Sequence, residues 1–156
     1  MITGEMANPI RVENGAACRS AAELRALAAA LAREAGPAAT FALDGPLGAG
    51  KTEFVKGLAE GMGGMVGGGE PTSPTFAIAH EYATPGGPVF HFDFYRMETE
   101  DEVDTCGFDE CVGRGLVAVE WASKFPARLP SGTIWVLIEI ADDTGRAVRI
   151  RRGLDH

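Results

Sequence analysis

The chain is poor in cysteine, in histidine and in basic residues, and each shortage closes off a class of function. Three cysteines, Cys18, Cys106 and Cys111, form no C-x-x-C pair and cannot all be matched in disulfides. That usage fits a reducing compartment and ordinary buried thiols, and it argues against a structural zinc site. The three histidines, His80, His91 and His156, have no second His or Cys at ligand spacing, so His91 reads as a hydrogen-bonded structural residue. Lys and Arg number 14 against 22 Asp and Glu, a formal net charge of −8. Such a surface repels phosphate backbones, so any contact with nucleic acid is expected to run through a partner. No apolar run approaches the roughly 18 residues of a membrane span, and no basic stretch leads into an apolar one near the start. Neither a span nor a secretory signal is expected, and the expected address is the cytoplasm.

What is present suits one hydrophobic core. The chain has 156 residues, 46% of them hydrophobic, which predicts a single domain, residues 1–156, with its core from about Ser20 to Arg151. After an irregular start, Ser20-Ala21-Ala22-Glu23 reads as a capping box, and Leu24, Leu27, Ala28 and Leu31 recur at helical spacing until Gly36-Pro37. Thr40 to Asp44 is a short apolar run of the kind buried on both faces of a sheet. A helix is expected from Lys51 to Met62, then a mobile loop over the glycine-dense Gly63 to Gly69. Thr75 to Tyr82 and Val89 to Tyr95 are expected to form an antiparallel hairpin, with Phe90, Phe92 and Phe94 on one face and His91, Asp93 and Tyr95 on the other. Thr99-Glu100-Asp101-Glu102 repeats the capping-box pattern and opens a short acidic helix that Gly107 ends. Leu116 to Val119 is a buried-type strand ending in Glu120-Trp121, and Thr133 to Ile140 pairs with Arg146 to Arg151 across Asp142-Asp143-Thr144-Gly145. The expected fold is α/β, P-loop NTPase-like and three-layered, with a mixed sheet made of a parallel core plus antiparallel hairpins.

The most specific pattern is Gly45-Pro46-Leu47-Gly48-Ala49-Gly50-Lys51-Thr52, which matches G-x-x-x-x-G-K-[ST] and lies between an expected strand and an expected helix. Its glycines let the backbone curl so that successive N–H groups face phosphate oxygens, and the helix N-terminus adds partial positive charge. Lys51 is placed to reach the β- and γ-phosphates of ATP, and the Thr52 hydroxyl to join the shell of a magnesium ion. A mere glycine-rich connection is the bland alternative, and the strand, the helix and downstream carboxylates weigh against it. Asp93 ends a strand after aromatic residues, as a magnesium-holding carboxylate does. Glu120 ends a buried strand at the carboxyl edge where ligands bind in open α/β sheets. It has three possible roles: to orient the attacking water, to deprotonate it, or to ligate magnesium. Trp121 is either core filling or an aromatic that senses nucleotide. Thr72-Ser73-Pro74-Thr75 offers hydroxyls that could approach the γ-phosphate as a switch segment does, but from pattern alone an ordinary Ser/Thr/Pro turn is the better reading.

Four blocks in order, Gly45 to Thr52, Pro71-Thr-Ser-Pro-Thr-Phe76, His91-Phe-Asp-Phe-Tyr-Arg96 and Val119-Glu-Trp121, closely resemble the TsaE family (formerly YjeE), bacterial ATPases of tRNA threonylcarbamoyladenosine synthesis. The resemblance runs from about Ser20 to Arg151. It implies that the second block is a switch segment, which gives Thr75 a nucleotide-responsive role, and that Asp93 and Glu120 serve magnesium binding and catalysis. It also implies partners, TsaD and TsaB, which would handle the tRNA, so that tRNA is met only indirectly. Three positions depart from the family pattern. Pro46 stands where the loop usually carries Asp, which removes any help that side chain gives to magnesium or water. Glu53 replaces a Thr or Ser beside the magnesium ligand. The threonine the family carries early in its first helix, near the adenine site, is replaced around Leu24.

Three other readings compete. A small P-loop kinase needs an acceptor pocket and arginines on a lid, whereas Arg96 and Arg114 stand isolated in this sequence. A GTPase would need a guanine-reading Asn-Lys-x-Asp stretch, and none exists. A nucleotide-gated binding module, whose hydrolysis is incidental, fits the same motifs.

Overall fold

The computed structural model describes residues 10–66, 73–76 and 79–153; for 10–14 and 73–76 it describes the backbone alone. Among the described residues, eight strands form one mixed sheet in the order β1-β8-β7-β2-β6-β5-β4-β3. Its centre is β2 (Thr40–Asp44), which pairs parallel with both β6 (Leu116–Glu120) and β7 (Ile134–Ile140), while β5 (Val89–Asp93) pairs parallel with β6. The flanks are antiparallel. On one side β8 (Arg146–Gly153) pairs with β7 and β1 (Ile10–Cys18) with β8; on the other, β4 (Ala79–Tyr82) pairs with β5 and β3 (Ser73–Phe76) with β4.

Two elements depart from the sequence expectation. Within the start expected as irregular, Ile10–Cys18 is a nine-residue edge strand, and residues 1–9 lie outside the described residues. Its Gly15, Ala16 and Ala17 carry little strand signal, and pairing with β8 supplies the order. The run expected as one strand from Thr75 to Tyr82 is two antiparallel strands, β3 and β4, with Phe76 opposite Ala79. Residues 67–69 of the expected glycine loop lie outside the described residues.

The sheet carries a core on each face. Helix α1 (Ala21–Ala35) and helix α2 (Lys51–Gly61) cover Phe41, Leu43, Leu116, Ala118, Ile134, Val136 and Ile138 on one face. On the other, α3 (Glu100–Thr105), α4 (Phe108–Cys111) and the 3-10 turn Ala122–Lys124 pack Val103, Phe108 and Ala122 over Phe92, Phe94, Val117 and Val119. The rings of Phe92 and Phe94 meet Phe108 edge to face at 5.5 and 5.6 Å. All three cysteines are free and buried, and burial pushes the Cys111 thiol up to about 11.

Both expected helix starts are capped, but only the second closes a full capping box. Ser20 Oγ accepts from the Glu23 amide at 3.1 Å, while the Glu23 carboxylate reaches past the Ser20 amide to that of Arg19 at 2.7 Å. Thr99 and Glu102 make the reciprocal pair at the start of α3, and Gly107, in left-handed conformation, separates α3 from the single turn of α4. Arg128 fastens that layer through ion pairs to Asp104 and Asp109. No helix is long and apolar enough to cross a membrane among the described residues.

Helices α1 and α2 approach closely because Gly57 presents no side chain to α1. A β-carbon there would lie 2.4 Å from the Arg25 carbonyl oxygen and 2.7 Å from Ala28 Cβ. Alanine gains about 1 kcal/mol of helix propensity over glycine, but overpacking against backbone costs about 1–3 kcal/mol, and backbone cannot step aside as a flexible side chain does. Gly57→Ala is therefore expected to lower the unfolding free energy by a net of about 1 kcal/mol and so to lower the urea midpoint; an unchanged or raised midpoint would contradict this packing.

Candidate functional site

Because β2, β6 and β5 run parallel and in register, their carboxyl ends arrive side by side. Leu43 pairs with Glu120, and Glu120 with Asp93. The residues that follow β2 are the glycine loop, and α2 begins at Lys51 with its N-terminus over the same strand ends. Alternation along β5 and β6 aims His91, Asp93, Ala118 and Glu120 at the face that α2 covers, opposite the aromatic layer.

The loop is pressed against the sheet. A β-carbon on Gly45 would lie 2.3 Å from the Ile138 carbonyl oxygen of β7, so only glycine allows this approach. Lys51 is 5% exposed. Its ammonium donates to the Gly45 carbonyl at 2.6 Å and the Pro46 carbonyl at 3.0 Å, and it lies 4.4 Å from the centre of the Trp121 ring. Burial lowers its pKa below 10.5, against the opposing pull of Glu120, Asp93 and Asp44. Trp121 has φ 60°, a left-handed backbone that bulky residues rarely adopt. Its amide donates to the Leu43 carbonyl at 3.0 Å, and its ring lies 4.9 Å from that of Tyr95. Lys124 supports Tyr95 from below by donating to the Tyr95 and Met97 carbonyls at 2.8 and 2.6 Å.

Glu120 is the hub of the acidic side. Its Oε2 lies 2.6 Å from His91 Nε2 and accepts from the Thr52 hydroxyl at 3.3 Å. Burial raises its pKa, but the hydrogen bond and charge of His91, the charge of Lys51 and the Thr52 hydroxyl outweigh burial and hold it below the ordinary 4.5. Asp93 is exposed, and its Oδ1 accepts from the Tyr95 amide at 2.9 Å. Glu53 does not act on the site as a free charge. Arg25 of α1 reaches it at 2.6 Å and Lys56 at 3.4 Å, and the Arg25 hydrogen bond leads in lowering its pKa.

A cavity of about 300 Å³ is lined by Leu47, Gly48, Gly50, Lys51, Thr52, Asp93, Glu120 and Trp121, with Glu53 and Tyr95 at its edge. Of the residues to which sequence gives a role toward nucleotide, magnesium or catalysis, all but Gly45, Ala49 and Thr75 therefore share one hollow. Gly45 and the buried Ala49 complete the loop behind it. The side chain of Thr75 lies outside the described ones, as does Thr72. A second cavity, of about 450 Å³, adjoins the first across Thr52 and is bounded by Val55, Lys56, Tyr82 and His91.

Two residues and one partner escaped sequence reasoning. His91 is hydrogen-bonded, as its sequence context predicts, but its partner Glu120 depends on the β5–β6 register. Arg25 lies 28 residues from Glu53, and no local signal joins them. Arg146 carries no motif, yet its Nε donates to the Ala49 carbonyl at 2.8 Å.

Oxygen donors alone, from Thr52, Asp93 and Glu120, border the cavity on its acidic side, a set suited to a hard divalent cation. Among the described residues no three His, Cys, Asp or Glu side chains converge as a metal cage. A magnesium ion there would draw further ligands from water and phosphate, as that ion commonly does.

A central parallel strand that runs through a Gly-x4-Gly-Lys-Thr loop into a helix, with carboxylates on the neighbouring strand ends, defines a protein of the P-loop class. Within that class the chain belongs to the TsaE family: the profile of the Threonylcarbamoyl adenosine biosynthesis protein TsaE matches residues 18–149. It is 41% identical over 129 residues to the tRNA threonylcarbamoyladenosine biosynthesis protein TsaE of Bacillus subtilis, covering 81% of this chain and 77% of that one. With the protein of the same name from Aquifex aeolicus it shares 40% identity over 110 residues, 70% of this chain and 74% of the relative. The crystal structure of Bacillus subtilis YdiB superposes with a TM-score of 0.70 at 33% identity, covering 91% of this chain and 87% of that one.

The depressed Glu120 predicts a pH effect of known sign. A carboxylate whose folded pKa lies below its unfolded value contributes stability above the unfolded value, and that contribution is lost as pH falls through the folded one. Without magnesium or nucleotide, the melting temperature of the wild type is expected to fall as pH drops below about 5, and more steeply than that of Glu120→Gln. Equal slopes between pH 7 and 3 would contradict the pairing with His91 and Lys51.

Proposed function

We propose that this protein is a magnesium-dependent ATPase of the tRNA threonylcarbamoyladenosine machinery that acts with the TsaD–TsaB pair and meets tRNA only through it. The observation that supports the reading most is the shared cavity, in which a phosphate loop, a buried lysine, a hydroxyl and two carboxylates face one another in a chain of the TsaE family.

The residues have distinct tasks in this reading. Lys51 leaves the Gly45 and Pro46 carbonyls for the β- and γ-phosphates, which compensate its buried charge better than two neutral carbonyls do. The loop amides and the N-terminus of α2 receive the remaining phosphate oxygens. The Thr52 hydroxyl, with Asp93 and Glu120 nearby, would hold a magnesium ion, which would supply neutralisation of charge on the phosphate oxygens. Glu120, kept ionised by His91, accepts a hydrogen bond from the attacking water and aims it at the terminal phosphate. Trp121 and Tyr95 flank the phosphates and limit access of bulk water. Thr75, in the segment that the family resemblance marks as a switch, responds to the terminal phosphate. Pro46 offers no acid, so turnover of the isolated protein is expected to be slow.

The test is ATP binding and magnesium-dependent phosphate release, with and without TsaD and TsaB. Lys51→Ala is expected to weaken ATP binding at least about tenfold. Glu120→Gln is expected to keep ATP affinity while hydrolysis falls about 10²-fold or more. Release of one phosphate per ATP consumed supports water as the acceptor; transfer of that phosphate to a metabolite would make the protein a kinase. Full tRNA modification by Glu120→Gln would instead leave a nucleotide-gated binding module.

A further inference from the structure

Arg146 opens β8 directly after the turn Asp142-Asp143-Thr144-Gly145 and turns its guanidinium toward the back of the phosphate loop. Nε donates to the Ala49 carbonyl at 2.8 Å, and one terminal nitrogen, Nη2, donates to the Gly48 carbonyl at 3.2 Å. The other, Nη1, donates to the Gly145 carbonyl at 2.8 Å and the Asp142 carbonyl at 3.2 Å. One planar cation thus clamps loop and hairpin together, with every nitrogen of its fork engaged.

The hairpin end of the clamp is itself well held. Asp142 Oδ1 accepts from the Thr144 amide at 3.1 Å and the Gly145 amide at 2.6 Å, and the Ala141 amide donates to the Gly145 carbonyl at 3.0 Å. The strand pairing of β7 with β8 runs up to Ile140 and Arg146. The loop end needs such support. Gly48 and Gly50 both have positive φ, 81° and 111°, and glycine loses more conformational freedom on being ordered than any other residue.

We infer that Arg146 is a positioning residue of the phosphate loop, holding the Gly48 and Ala49 carbonyls outward so that the loop is set to receive phosphate before any ligand arrives. The reason is peptide geometry. In a trans peptide the C=O and the following N–H point in opposite directions, so a carbonyl drawn toward Arg146 sends the next amide toward the concave side. The Ala49 carbonyl aims the Gly50 amide in this way. The Ala49 amide already closes a turn on the Pro46 carbonyl at 3.1 Å, and the Gly48 carbonyl held by Arg146 keeps that peptide plane in place. Preordering lowers the entropy lost when a ligand binds. By linkage, a bound phosphate steadies the Asp142–Gly145 turn in return.

The inference rests on the reading that the loop takes nucleotide phosphates, and two measurements on the full chain separate the two claims. Amide hydrogen exchange of residues 47–51 without ligand reports the brace alone. Binding of magnesium and N-methylanthraniloyl-ADP reports its consequence. Arg146→Ala is expected to speed exchange and raise Kd, each about tenfold. Arg146→Lys keeps the charge without the fork and stays nearer to Arg146→Ala than to wild type. Arg149→Ala, exposed on the same strand three residues on, matches wild type in both. Unchanged exchange in folded Arg146→Ala, with circular dichroism and melting temperature as in wild type, overturns the brace. If Arg146→Ala does not fold, the same comparison made with Arg146→Lys decides. Failure of the wild type to bind the nucleotide would refute the phosphate reading, while the exchange comparison still decides whether Arg146 orders the loop.

Discussion

A lysine ammonium at 5% exposure is the constraint around which the rest of the site is arranged. Taking such a charge from water costs several kcal/mol unless partners replace the lost hydration. Here they are the two loop carbonyls and the face of Trp121. To bring that face into place Trp121 adopts a left-handed backbone, a strain that the Leu43 hydrogen bond and the packing of Tyr95 sustain. The carboxylates of Glu120, Asp93 and Asp44 add attraction at longer range. None of these partners is as good as a phosphate, and in our reading the site is built to exchange them for one.

The sheet makes this arrangement possible. Three parallel strands end at the same level, so β2 delivers the loop, β6 delivers Glu120 and β5 delivers Asp93 and His91 without any long connection crossing the site. The antiparallel flanks serve the loop as well. On the β7 side, Ile138 meets Gly45 and Arg146 meets Gly48 and Ala49. The charge that Glu53 brings next to Thr52 is taken up by Arg25 and Lys56. A departure from the family pattern that looks disruptive in sequence is thus compensated across the α1–α2 contact.

Elements with a complete local signal were legible. Ser20 and Thr99 as helix starts, the apolar β2, and the strand ending in Glu120 each announce themselves within five residues, because capping and burial on both sheet faces are short-range demands on residue type. Where the signal is weak, partners decide. The segment from Ile10 to Cys18 is a strand because β8 offers it an edge, and the stretch before Tyr82 doubles back into two strands although its residues suit one.

The same division holds for the site. Sequence by itself determined the glycine loop, its lysine and threonine, and the strand-end acids, since phosphate binding imposes a fixed spacing on contiguous residues and a strand's end is visible in its own pattern. Only the tertiary structure decided that His91 meets Glu120, that Arg25 meets Glu53, and that Arg146 holds the loop from behind. Those contacts join residues 28 to 98 positions apart. Strand register and the approach of α1 to α2 determine them, and neither is written in the residues that touch.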